Sequence, residues 1–226
     1  VNGESPKALF TNNKREPLRL RIDFYVGKIV ATLSLVSDSS KYIQSSYAYD
    51  TRTLEGQVGM RTNWNYTSLD NFEIEYSPTN CTETYDFSDA TQLDDFDLYL
   101  ENADDAVSID GGLLKPGSNK QKKILTKTSF ASGSVKSVSV DIIPDSASSQ
   151  ITAGILFGAT NAQAAVNKVD AHGFVVESAL SDLDHINLYA ATFKKDSGGY
   201  TKIDGTEIKV NGESPKALFT NNKREP

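Results

Sequence analysis

The chain is poor in the residues that most often advertise chemistry. Its 226 residues include one cysteine, one methionine, one tryptophan and two histidines. A single cysteine, Cys81, excludes a disulfide within the unit, and a lone thiol in the polar stretch Ser77 to Thr84 is expected to be inert. No run of apolar residues approaches the roughly 20 needed to cross a bilayer as a helix, so no membrane span is expected. Positive charge is also in short supply: 23 Lys and Arg stand against 30 Asp and Glu, a net charge of −7. That balance argues against a nucleic-acid surface, which needs clustered cations to neutralise phosphates. The nearest basic groupings are Lys120 to Lys123 and Lys14, Arg15, Arg19 and Arg21, both expected on solvated strand or loop faces.

What the chain does contain is one stretch twice. VNGESPKALFTNNKREP occupies residues 1–17 and again 210–226, identical at all seventeen positions, so the two copies begin 210 − 1 = 209 positions apart. The pattern is that of a window cut from near-identical tandem repeats. On this view residues 1–81 are the C-terminal part of one sandwich unit and residues 82–226 the N-terminal part of the next. The natural order is then Thr82 to Pro226 followed by Leu18 to Tyr76. In an array the second copy runs straight into the next Leu18, and the expected partners are neighbouring identical repeats or subunits, head to tail.

Hydrophobic periodicity points to strands throughout. Leu18, Leu20, Ile22 and Phe24 alternate strictly with Arg19, Arg21, Asp23 and Tyr25, and Ile29, Ala31, Leu33 and Leu35 answer them beyond Val26–Gly27. A period of two on both sides of a glycine turn predicts a long hairpin with one buried face. Ile151 to Ala159 is almost wholly apolar, as in a strand covered on both faces. Asn161 to Val169 is expected as a loop, and the histidines, His172 and His185, are placed in loops as well. About a dozen short strands with frequent turn signals and no convincing amphipathic helix predict an all-β sandwich or barrel.

Several stretches resemble a known family. FSDATQLDDFDLY, the VSIDGGLL hairpin, SVKSVSVDI followed by ITAGILFGA, and EGQVGMRTNWNYTSLDNFEIEY are similar to the concanavalin A-like lectin/glucanase (laminin-G-like) sandwich domains. Such domains accompany bacterial carbohydrate-active enzymes and occur in surface adhesin repeats. The resemblance implies a two-sheet antiparallel jelly-roll sandwich, here in circularly permuted order, with ligands on rim loops or on one sheet face. It also implies an extracellular or cell-surface location.

Glucan-cleaving enzymes of this fold carry two carboxylates spaced Glu-x-Asp-x-x-Glu on one strand, because acid and nucleophile must flank one bond. That pattern is missing, Asp95, Asp97 and Glu101 being in the wrong order, so a non-enzymatic role is expected. No cofactor is required by any motif. Calcium is the one candidate ion, with oxygen donors at Asp94, Asp95 and Asp97, at Asn102, Asp104 and Asp105, or at Asp182 and Asp184. Glycan binding needs an aromatic plane to stack on a sugar and planar polar groups to pair with hydroxyls. Trp64 with Tyr66, Arg61 and Asn63 is the best such grouping, and Tyr47, Tyr49 and Arg52 form a second. Asn65-Tyr66-Thr67 and Asn80-Cys81-Thr82 match glycosylation sequons. The function expected from these residues is a non-catalytic tandem-repeat unit of an extracellular filament, stalk or adhesin, with or without glycan binding. The alternative is a carbohydrate-binding module attached to a glycoside hydrolase.

Overall fold

The strict alternation from Leu18 to Phe24 produces the expected hairpin: Leu18, Leu20 and Ile22 are buried, and Leu18 to Tyr25 pair in register with Leu35 to Lys28. The computed structural model describes residues 16–63, 67–77, 80–101, 106–117, 120–144, 150–163, 168–179, 182–194, 200–203 and 207–210. Among them, sixteen strands follow one another along the chain. They are β1 (Leu18–Tyr25), β2 (Lys28–Leu35), β3 (Tyr42–Ala48), β4 (Gly56–Thr62), β5 (Ser68–Tyr76) and β6 (Cys81–Tyr85). Next come β7 (Phe96–Leu100), β8 (Ser108–Asp110), β9 (Leu113–Lys115), β10 (Lys122–Phe130) and β11 (Val135–Ile143). The last are β12 (Gln150–Gln163), β13 (Lys168–Ala179), β14 (Asp182–Phe193), β15 (Tyr200–Lys202) and β16 (Glu207–Val210).

These strands form two antiparallel sheets packed as a sandwich. The nine-stranded sheet runs β16-β3-β2-β1-β11-β5-β9-β8, with β6 also on β5, and the seven-stranded sheet runs β15-β14-β13-β12-β4-β10-β7. The segments on either side of residue 81 are interleaved in both. β4 lies between β12 and β10, and β1 joins β2 to β11. Neither segment owns a complete sheet.

The main core lies between the sheets. Leu20, Ile22, Leu33, Val138 and Ile74 from one sheet meet Met60, Ile124, Ile155, Phe174 and Val176 from the other, all at 0–1% exposure. Gly59 marks the closest approach within a sheet. A Cβ there would lie 2.1 Å from the Ile124 carbonyl oxygen, so only glycine lets β4 and β10 pair at this point. At Asn71 a positive φ of 46° accompanies a shift in the β5–β11 register between Ser139 and Asp141, a bulge that Asn tolerates better than most residues.

The fold departs from the sequence-based expectations in three places. β12 continues to Gln163 and β13 begins at Lys168, where Asn161 to Val169 reads as a loop. Two register shifts in the β12–β13 pair, beside Gly158 at φ 59°, break the alternation without ending the strands. His172 lies in β13 opposite Phe157, and Asp182, opposite Ala179, opens β14, which continues through His185. Cys81 begins a strand, opposite Tyr76, rather than lying in a loop. Between β6 and β7, Asp86 to Asp95 leaves the sheet. The Asp86 and Asp89 carboxylates accept from the backbone N–H groups of Ser88 and Thr91, and a short 3₁₀ turn follows from Ala90 to Asp95.

Candidate functional site

The face of the seven-stranded sheet turned away from the main core carries a second cluster, drawn from that sheet alone. It comprises Tyr99, Leu125, Leu156, Val175, Tyr189 and Phe193 with several alanines, and Tyr200 packs against it. Alternation explains its composition: Ile124, Met60, Ile155, Phe174 and Ala190 point inward, so their odd-numbered or next neighbours point out. One line of cross-strand partners crosses six strands: Tyr99, Lys123, Arg61, Gly154, Val175 and Tyr189.

Arg61 stands at the middle of that line with 0% exposure. Its guanidinium carbon lies 5.0 Å from the centroid of the Tyr200 ring and 5.4 Å from that of Phe193, within cation–π range. Burial lowers its pKa, and the surrounding Tyr200, Tyr189 and Glu177 act in the opposite sense. The Tyr200 hydroxyl donates to a Glu177 carboxylate oxygen and shares a hydrogen bond with the Tyr189 hydroxyl. Burial raises the Tyr189 pKa strongly, helped by its hydrogen bonds to Glu177 and Tyr200. Lys202, exposed at the rim, places its ammonium 4.0 Å from the Tyr189 ring centroid. Lys123, the cross-strand partner of Arg61, is 1% exposed, and burial followed by the charge of Arg61 lowers its pKa to about 8.

Of the sequence-predicted site, Arg61 and Asn63 fall among the described residues. Arg61 lies in β4, buried within the sheet face beside the Tyr200 and Phe193 rings. Asn63 is half-buried at the end of β4, donating its backbone N–H to the Thr152 carbonyl at 3.0 Å. Trp64 and Tyr66 lie outside the described residues. Of the Tyr47, Tyr49 and Arg52 grouping, the two tyrosine rings stay in edge-to-face contact, 6.0 Å between centroids. Tyr47 is a core residue at 7% exposure and Tyr49 packs its ring 4.8 Å from that of His172, while Arg52 is exposed and paired with Asp50 at 2.9 Å.

Charged groups expected on solvated faces are also redistributed. Lys122 and Lys123 are buried because β10 is an interior strand between β4 and β7. Arg19 makes a two-pronged contact with Asp141, at 2.7 and 2.8 Å, and Arg21 contacts Asp23 and Glu75. Lys14 and Arg15 lie outside the described residues. Of the calcium candidates, Asn102 to Asp105 also lie outside, as do the side chains of Asp182 and Asp184. Among the described residues no group of three His, Cys, Asp or Glu side chains is arranged to hold a metal ion. Of the two sequons, Thr67 is buried and Asn65 lies outside the described residues, while Asn80 and Thr82 are exposed at the β5–β6 turn. The aromatic and ionic cluster on the sheet face escaped sequence reasoning, because its members come from six strands far apart in the chain. Its signal was an arginine and a lysine next to the apolar residues Val58, Met60, Ile124 and Leu125.

The fold defines an all-β sandwich. No protein-family model matches the chain, and a search of curated proteins finds no match. Among the described residues no helix is long and apolar enough to cross a membrane.

Proposed function

We propose that the chain is a non-catalytic unit of a tandem-repeat protein that forms an extracellular filament, stalk or surface adhesin, its neighbours being further copies of itself. One observation carries this reading. Val210, at the end of β16, stands in line with Ile43, Leu33 and Leu20 across the nine-stranded sheet. The strand therefore ends beside the start of β1, three strands away, about 14 Å at the usual inter-strand spacing. The two copies of the seventeen-residue segment thus attach at one end of one sheet, where a chain leaves one unit and enters the next. The sandwich then serves as a bead of fixed size in a string. Electron microscopy of the native source material tests it: filaments with one sandwich per 209-residue copy are expected, and isolated particles of single-unit mass refute it.

A second reading, a carbohydrate-binding module beside a glycoside hydrolase, is favoured by the outer sheet face. The half-buried Tyr200 offers a ring plane for stacking, and Glu177 and Lys202 offer hydroxyl partners beside it. Glycan-array binding that disappears in Tyr200→Ala and Trp64→Ala supports this module. Absence of binding in the unaltered protein removes it.

A further inference from the structure

We propose that residues 18–76 are exchangeable between copies: β1–β5 of one copy complete the sandwich of β6–β16 from the preceding copy, in competition with closing on their own. This inference rests on the tandem reading and specifies how its units join.

The sandwich has two connections between these blocks. Within this chain β5 turns into β6, with Tyr76 opposite Cys81 and four residues between. In an array the second connection is the sixteen residues 211–226, which join Val210 to the Leu18 of the following copy. Fully extended, sixteen residues reach roughly 55 Å, far more than the separation of about 14 Å between the end of β16 and the β1 strand. The following copy's β1–β5 block can therefore reach the place its own counterpart occupies. Because the segments at residues 1–17 and 210–226 are identical, the block enters β1 by the same residues on either route.

The two closures make the same contacts. In both, β4 fills the gap between β12 and β10, β1 lies against β11, and β5 lies between β11 and β6. What differs is the loop that is closed. Loop-closure entropy favours the four-residue turn over the sixteen-residue segment by only about eightfold, the 3/2 power of a fourfold length ratio. The turn itself opposes this preference, since Asn80 adopts a φ of 51°. The closures therefore lie close together in an array.

Their consequences diverge at the ends. In the direct register every copy is complete. In the exchanged register the first β1–β5 block and the last β6–β16 block are left without partners, and each fits the opposite end of another molecule. That contact is heterologous and propagates head to tail. It buries a domain core at each junction instead of a surface patch, without any dedicated adhesive surface.

Two proteins test the proposal. The first is the unit rewritten as residues 82–226 followed directly by 18–76, which can close only through 211–226. It is expected to be a monomer with the circular-dichroism spectrum and cooperative thermal transition of the parent. A chain that stays unfolded, or that only aggregates, overturns the exchange. The second is the full chain with Asn80→Pro, whose ring fixes φ near −65° and so forbids the observed turn. Light scattering after size exclusion is expected to show most of it as a ladder of head-to-tail oligomers that keep the parent spectrum. A folded monomer, or an unfolded protein that does not associate, overturns the competition between closures. Both readouts are made on purified protein, so they fail or succeed independently of whether the native material contains filaments.

Discussion

Arg61 and Lys123 face each other across β4 and β10, two cations directly opposed in adjacent strands and both at 0–1% exposure. Like charges in opposed positions destabilise a sheet, and removing them from water adds to the penalty. The aromatic rings over Arg61 and the Glu177 carboxylate beyond Tyr200 offset part of this. Lys123 carries the remainder as a lowered pKa.

That shift makes stability depend on pH. The unfolded lysine titrates near 10.5 and the folded one near 8, so between these values the unfolded chain binds more protons and stability rises with pH. Two and a half units set an upper bound of about 3 kcal/mol, most of it gained between pH 8 and 10. Lys123→Met is expected to flatten this rise and to stabilise the protein at pH 7. Urea unfolding at pH 7, 8, 9 and 10 for both proteins measures it, and parallel curves contradict it.

On the opposite sheet Asp141 is 3% exposed and accepts from Arg19 at 2.7 and 2.8 Å and from Asn71 at 3.0 Å. Asp141→Ala removes the acceptor for both and is expected to cost about 1–3 kcal/mol. Arg19→Ala is expected to cost less, because the Arg19 side chain is 44% exposed and Asp141 keeps the Asn71 bond. The order of the two losses in denaturant unfolding decides the point.

Tyr47 is a different case. Its hydroxyl is buried with no hydrogen-bond partner among the described residues, as is Ser45 Oγ two residues earlier on β3. Burial raises its pKa, in keeping with a hydroxyl that has left water. Tyr47→Phe keeps the ring contact with Phe174, at 5.7 Å between centroids, and deletes an unpaired polar atom. It is expected to raise stability by about 1 kcal/mol. A loss of stability on thermal unfolding would show that the hydroxyl has a partner in solution.

His172 is stacked on Phe157 and edge-on to Tyr49, with Nδ1 buried and without a hydrogen-bond partner among the described residues. Burial first, and the positive Lys194 second, lower its pKa below the usual 6.5. The unfolded chain then binds the proton more readily, so stability falls as pH drops through 6.5 toward the folded value. His172→Phe is expected to lose less stability than the parent between pH 7 and pH 5. Thermal midpoints at the two pH values provide the comparison.

Legibility in the sequence followed the range of the interactions. The β1–β2 hairpin was readable because its partners are adjacent in the chain and its alternation is unbroken. β12 was readable as a strand covered on both faces, and Ile155 inside and Leu156 outside are both at 0%. The surroundings of Arg61 were not readable. Period two assigns it a face but says nothing of Tyr200, which reaches it only after β12, β13 and β14 have been laid beside β4. His172 misled because Ala171 and Gly173 look like loop residues, although Gly173 is a glycine for reasons of space: a Cβ would come within 2.7 Å of the Ile155 carbonyl.

The place of β4 also governs how the protein is made. A ribosome delivers Leu18 to Thr62 long before the strands that flank them: Leu18 waits for Ile142, and Gly59 waits for Leu156. At common elongation rates the wait for Ile142 is roughly 6–25 s. During that interval the inward row of Leu18, Leu20 and Ile22 has a hairpin partner on one side only. On the tandem-repeat reading proposed above, the complementary strands nearest to hand would be those of the copy just finished upstream.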